Sequence, residues 1–326
     1  MRTEIVSPAN AAARAVELLR RGEIVALPTE TVYGLAADAL NPVAVTKIFE
    51  AKERPRFDPL IVHLPDQQWL ERVARIDRRS RAQIEKLTKQ FWPGPLTLVL
   101  QRQPIIPEIV TAGLNTVAVR MSSHPVFASV ISTFGKPLAA PSANRFGRIS
   151  PTTGRHVLEE LDGRIPLIVD AGPTPHGIES TIVALSDEGI EILRRGPVTE
   201  EQLRAIGFEQ AARRQDIGGA MRAPGQLPVH YAPQTPLRII ESANLFSPGP
   251  GERCGLLAWG RVKNAGRFAA VRWLSETQDL REAAANLFRH LRELDDLGLN
   301  LIVAEHVPEN GLGAAIMDRL RRASAK

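Results

Sequence analysis

Apolar positions in the first two hundred residues switch repeatedly between helical and extended spacing. Over residues 9–21 they recur at helical intervals and stop at Gly22; residues 23–27 then form a short apolar run closed by Pro28. Asn41-Pro42 sets a capping side chain before a proline at the first helical position, which opens a helix predicted to reach about Ala51. Strands are expected at 60–64, 96–101, 116–121, 138–140, 167–170, 181–185 and 191–194, and helices near 78–90, 125–134 and 152–161. Thr199 and Gln202 make a capping box for a last helix that stops near Gly207. This alternation predicts an α/β domain built on a twisted mixed sheet.

The stretch 211–236 contains Gly218-Gly219, Pro224-Gly225, Pro228, Pro233 and Pro236, too many breakers for a regular element. It is longer than an ordinary connection, and its His230 and Tyr231 favour a lid over a passive tether. From 237 the pattern restarts, with strands at 237–241, 255–259, 269–274 and 301–304. A helix over 279–297 carries Leu280, Ala284, Leu287, Leu291 and Leu294 on one face, and a helix over 313–322 closes the chain. The order suggests a smaller Rossmann-like α/β domain, without a GxGxxG fingerprint and so without an assigned dinucleotide. The expected division is 1–208, a linker or lid at 209–236, and 237–326.

A chain of 326 residues with 44% hydrophobic and 24% charged content has room for two such cores. Its one cysteine, Cys254, excludes an intrachain disulfide framework and a thiolate metal site. No apolar run has the length of a membrane span, and Met1-Arg2-Thr3-Glu4-Ile5 lacks the apolar centre of a signal peptide. A cytoplasmic protein with no membrane partner is expected. The net charge of +5 favours anionic partners without separating ATP from RNA. The basic clusters at 72–81 and 319–322 read as solvated helix faces.

Candidate chemistry concentrates in Lys52-Glu53-Arg54-Pro55 and Pro141-Ser142-Ala143-Asn144. Arg54 offers a planar fork and Lys52 a point charge to phosphate oxygens, while Ser142 and Asn144 add short neutral donors. Lys52 and Arg54 also leave the C-terminal end of a predicted helix, where the dipole welcomes cations, so a capping role stands beside the phosphate role. There is no G-x-S-x-G, H-E-x-x-H or Walker loop.

Around these runs lie, in order, Leu27-Pro28-Thr29-Glu30-Thr31-Val32-Tyr33-Gly34-Leu35, Asp58-Pro59-Leu60-Ile61-Val62-His63, Phe91-Trp92-Pro93-Gly94-Pro95-Leu96-Thr97 and Val117-Ala118-Val119-Arg120-Met121. Ser150-Pro151-Thr152, Gly177-Ile178-Glu179-Ser180-Thr181, Leu193-Arg194-Arg195-Gly196, Ala223-Pro224-Gly225 and His230-Tyr231-Ala232-Pro233 follow. The series resembles the L-threonylcarbamoyl-AMP synthase family in its long form, in which a YrdC-like catalytic domain carries a C-terminal extension.

The resemblance implies an adenylate-forming nucleotidyltransferase. It would make threonylcarbamoyl-AMP and pyrophosphate from L-threonine, bicarbonate and ATP with Mg2+. The product would pass to a tRNA threonylcarbamoyl-transferase complex for threonylcarbamoyladenosine modification, with weak tRNA binding by the chain itself. It assigns Lys52, Arg54, Ser142 and Asn144 to catalysis. Arg54, Asp58, Thr116, Ser142, Ser150, Arg194 and Tyr231 would contact ATP, and Thr31, His63, Arg120, Ala140 and Ser180 would contact threonine, with Tyr33 and Tyr231 flanking the pocket. Three residues depart from the family's usual pattern: Glu53 where glycine is frequent, Asp58 where asparagine is frequent, and Ser122 where proline usually follows the Arg120 segment. Glu53 is expected to pair with Arg54, and Asp58 to bring negative charge toward the triphosphate. The alternative is an RNA-binding or ribosome-associated module using a basic concave face. Only 5% of residues are aromatic, which is sparse for a single-strand stacking platform.

Overall fold

The computed structural model describes residues 2–186, 189–211, 222–225, 230–263 and 265–325. Gly218-Gly219 and Pro228 of the expected lid lie outside the described residues. The chain divides into two compact units. The first takes in 1–146, 151–174 and the described part of 179–226; the second takes in 147–150, 175–178 and the described part of 227–326.

In the first unit, eleven strands among the described residues form a mixed sheet. Its order runs Glu4–Val6, Leu167–Val169, Val25–Leu27, Gly34–Asp38, Leu138–Ala139, Ile61–His63, Thr116–Arg120, Leu96–Arg102, Thr181–Ser186 and Gly189–Arg194, with Ala74–Arg75 added beside Leu96–Arg102. Ile61–His63 runs parallel to Thr116–Arg120, and Thr181–Ser186 parallel to Leu96–Arg102. The two pairs meet where Leu96–Arg102 runs antiparallel to Thr116–Arg120.

Register decides which residues share a face, because side chains alternate along each strand. Val62, Val117, Val119, Leu98, Leu100 and Val183 turn into the main core. Ile61, Val99, Ala118, Ile182 and Ala184 turn to the other side and pack with Leu193 and Ala223. By the same alternation His63, Thr97, Arg120 and Ser180 fall on this second face. The pairs His63 with Arg120 and Leu96 with Thr181 bring all four to one end of it.

Local capping follows the expectations at Asn41, whose Oδ1 accepts from the Val43 and Ala44 amides at 3.0 and 3.3 Å, and at the Thr199–Gln202 box. Asn41→Ala should lower the unfolding free energy by about 1 kcal/mol, readable as a shift in denaturant midpoint at constant slope. An unchanged midpoint would show that this cap contributes nothing.

Three differences from the sequence reading have physical causes. Gly34–Asp38, absent from the strands expected above, is a strand buried on both faces, so its composition lacks alternation. The arginines at 72–81 are exposed as expected, but only Arg72, on the short helix Leu70–Val73, and Arg81, opening the helix Arg81–Phe91, lie on helices; Arg75 is on the strand Ala74–Arg75, and Arg78 and Arg79 are in the turn between. Arg319, expected on a solvated face, is fully buried.

Past 208 the chain stays with the first unit. Ile190 bridges Gln210, Arg222 pairs with Glu191 at 2.6 Å, and Pro224 O accepts from Arg194 Nη1 at 3.3 Å.

The second unit is a parallel sheet in the order Leu237–Ile240, Leu301–Glu305, Cys254–Ala258, Ala270–Trp273, with helices Leu280–Asp295 and Leu312–Ser324. Gly177 is required here: its φ is +68°, and a Cβ would stand 2.5 Å from the Ala285 Cα. Tyr231, also in the left-handed region at φ 62°, stacks on Phe288 with ring centroids 5.5 Å apart. The Arg319 guanidinium lies 5.1 Å from its ring and pairs with Asp318 at 2.7 Å.

Candidate active site

Lys52 is the last residue of the helix Pro42–Lys52, and its side chain is buried. Its ammonium donates to the carbonyl oxygens of Ser142, at 2.6 Å, and Asn144. The helix exit and the 141–144 loop are thereby tied together, and Ser142 is further fixed by a bridge to Gly34. Burial, reinforced by Arg54, pushes the Lys52 pKa well down, while Asp58 and Glu160 oppose the shift. Glu53 takes a left-handed conformation, φ 52° and ψ 39°, which explains the usefulness of glycine at this position. Its carboxylate turns outward to Arg145 and Arg164, at 2.5 and 2.8 Å, and not to Arg54 as the sequence suggested.

Arg54 is buried as well. It donates to the carbonyls of Asp58 and Pro59 at 3.2 and 2.9 Å and forms an ion pair with Asp58 Oδ2 at 2.9 Å. Among the described residues neither Asp58 carboxylate oxygen accepts a hydrogen bond, and the residue is fully enclosed. Burial raises its pKa against the pull of Arg54, Lys52 and Arg194. Three cations therefore surround one buried carboxylate, leaving the cluster positive. Asp58 is the counter-charge of this cluster.

Arg194 carries the network onward. Its Nε and Nη2 donate to Ser180 O and Ser180 Oγ at 3.1 and 3.0 Å, and Ser180 Oγ contacts Thr97 Oγ1 at 2.8 Å. On the same sheet end, Arg120 donates from Nη1 to Thr31 Oγ1 at 3.2 Å and from Nη2 to Glu30. Thr31 Oγ1 is also 2.8 Å from Thr29 Oγ1. His63, in register with Arg120, stacks at a tilt on Phe127 with centroids 4.6 Å apart. Ala140 donates its amide to Ile61 O at 2.9 Å, two residues before His63. Two buried atoms in this group have no hydrogen-bond partner among the described residues, His63 Nδ1 and Arg120 Nε.

Burial and the neighbouring Arg120 hold the His63 pKa well below 6.5. In the unfolded chain the imidazole binds a proton from about pH 6.5 downward, while the native one stays neutral. Stability is therefore lost as the pH falls below 6.5. Urea midpoints compared between about pH 7.5 and 5.5 should drop less in His63→Gln than in the wild type. Equal drops would contradict a buried neutral His63.

The sequence-derived residues are thus gathered unevenly. Lys52, Arg54, Asp58, Ser142, Asn144 and Arg194 form one network, and Ser180, Thr31, His63, Arg120 and Ala140 cluster at the adjoining sheet end. Thr116 stands at the opposite end of its strand, roughly 13 Å from Arg120. It lines an open cavity of about 540 Å³ with Arg75, Gln101, Ser186 and Arg222. Ser150 and Tyr231 belong to the second unit. Glu30, Thr97 and Ser122 were overlooked as site residues. The available signal for Glu30 was an acid directly preceding Thr31 in an otherwise apolar and hydroxyl-bearing motif. Among the described residues no group of three or more His, Cys, Asp and Glu is placed to hold a metal ion, and no helix is long and apolar enough to cross a membrane.

One end of the α/β sheet thus joins a buried basic cluster to an enclosed arginine, histidine and hydroxyl set. The Sua5/YciO/YrdC family model, described as "Telomere recombination", matches residues 17–196, and the model for the threonylcarbamoyl-AMP synthase C-terminal domain matches 198–325. The chain is 42% identical to threonylcarbamoyl-AMP synthase of Bacillus subtilis over 96% of its length and 92% of that protein's, and 39% identical to the enzyme of that name from Pyrococcus abyssi over 95% and 93%. The crystal structure of P. abyssi Sua5 complexed with L-threonine superposes with a TM-score of 0.88 at 36% identity, covering 99% of this chain and 98% of that one. The chain belongs to the threonylcarbamoyl-AMP synthase family.

Proposed function

We propose that this chain condenses L-threonine, bicarbonate and ATP into threonylcarbamoyl-AMP and pyrophosphate. The observation that carries the reading is the Ser180–Arg194 contact, which joins the cation cluster around Asp58 to the enclosed set around Arg120. Threonine's amine captures carbon dioxide or bicarbonate, and the carbamate oxygen attacks the α-phosphorus of ATP with pyrophosphate leaving. The reaction needs no protein nucleophile; it needs placement and stabilisation of phosphoryl charge. Lys52, Arg54 and Arg194 supply fixed positive charge whose orientation is already set by carbonyls and by Asp58. Arg120 Nε is a buried donor for a carboxylate oxygen, and neutral His63 Nδ1 and Thr31 Oγ1 can exchange hydrogen bonds with the amine and hydroxyl.

Mg2+ is proposed to arrive on the triphosphate, as is usual for this hard cation. No step is assigned to it. Residues 222–225 are proposed to cover the Arg194 end of the site. The support is Ala223 packed on the face that bears Ile61, Val99 and Ala118, and Pro224 O bonded to Arg194. Because the product is a reactive mixed anhydride, it is proposed to pass promptly to a tRNA-modifying complex.

The experiment is a pyrophosphate-release assay with ATP, omitting threonine or bicarbonate in turn. Release should require both. Release without threonine would overturn the reading.

A further inference from the structure

Arg120 is the residue here best suited to a substrate carboxylate, yet its fork is not left to find its own orientation. Glu30, buried beside it, takes Nη2 on one carboxylate oxygen, and the other oxygen of Glu30 accepts from Ser122 Oγ. Thr31 Oγ1 takes Nη1 at 3.2 Å. Ser122 Oγ in turn accepts from the His124 amide at 3.3 Å, which ties it to the start of the helix Pro125–Phe134. The side chains of Arg120 and Glu30 are 4% and 5% exposed, so this pair is desolvated and its geometry is stiff. Glu30 and Arg120 are ninety residues apart in sequence, so the clasp is tertiary.

We propose that Glu30 and Ser122 are positioning residues for the amino-acid end of the site, acting through Arg120. Glu30 fixes the plane of the guanidinium so that its Nε–H, buried and without an acceptor among the described residues, is held ready for an arriving carboxylate. Ser122 fixes Glu30, since a carboxylate held by Arg120 alone can rotate about its terminal torsion. The two residues therefore govern affinity for the α-amino acid and leave the nucleotide end untouched. The inference rests on the reading of this site as the threonine subsite.

The test measures the KM for threonine and for ATP separately, with threonine binding to the full chain by calorimetry alongside. Glu30→Gln keeps the shape of the side chain and removes its charge, and should raise the threonine KM at least about tenfold with the ATP KM within about twofold of wild type. Ser122→Ala keeps the ion pair, guards against a Glu30 variant that fails to fold, and should raise the threonine KM about threefold. Glu30→Asp, which retains charge but shortens the reach, should restore part of the Glu30→Gln loss. Unchanged threonine KM in folded Glu30→Gln and Ser122→Ala would overturn the inference. So would parallel rises in both KM values, the mark of a general structural role. A wild-type chain that binds no threonine would overturn the site reading itself, and the inference with it.

Discussion

Replacing Arg54 should lower pyrophosphate formation by about 10²–10³, the cost of removing one preorganised charge partner from a phosphoryl transition state. The replacement also has a structural consequence, because the guanidinium is buried against Asp58 and two carbonyls. Arg54→Ala alone breaks a buried ion pair and leaves Asp58 with only Lys52 and Arg194 as basic neighbours, so stability falls, by less than the roughly 3–5 kcal/mol of stranding a lone buried charge. The informative variant is Arg54→Met combined with Asp58→Asn, which neutralises both partners. It should fold close to normally and still lose about 10²–10³ in rate. Lys52→Met should behave similarly in rate, and it also releases the tie between the helix end and the 141–144 loop. Wild-type turnover by the folded double variant would remove Arg54 from the phosphate-binding machinery.

Valine should be turned over at least about 10²-fold less efficiently than threonine, although the two have nearly the same shape. A site that hydrogen-bonds a hydroxyl leaves its own buried polar groups unpaired when the isostere lacks it. His63 Nδ1 is such a group, buried at one end of the sheet and without a partner among the described residues. Serine keeps the hydroxyl and lacks only a methyl, worth about 0.8 kcal/mol, so it should lose only several-fold. Equal kcat/KM for valine and threonine would show that no hydroxyl is read there.

Much of this arrangement was legible in the sequence because strand register converts spacing into neighbourhood. The apolar run ending in His63 and the one ending in Arg120 are both strands that stop at their polar residue, and parallel pairing then sets those two side by side. The link from Lys52 to the 141–144 loop was legible only as two phosphate-seeking runs; that one holds the carbonyls of the other depends on tertiary approach. Gly34–Asp38 was illegible because full burial removes alternation. Glu53 and Arg319 misled for a shared reason. Charge pattern says nothing about a left-handed helix end that turns one side chain outward, or about an aromatic ring that lets an arginine be buried. Thr116 shows the converse limit, since a motif can be in order along the chain while its strand carries one member to the far end of the sheet.

The most direct measurement is mass spectrometry of the reaction with carbon-13 bicarbonate, threonine and ATP, quenched early. The account predicts a single species that contains threonine, AMP and the labelled carbon, formed together with pyrophosphate. Labelled carbon absent from every adenylate, or ADP and phosphate in place of AMP and pyrophosphate, would contradict it.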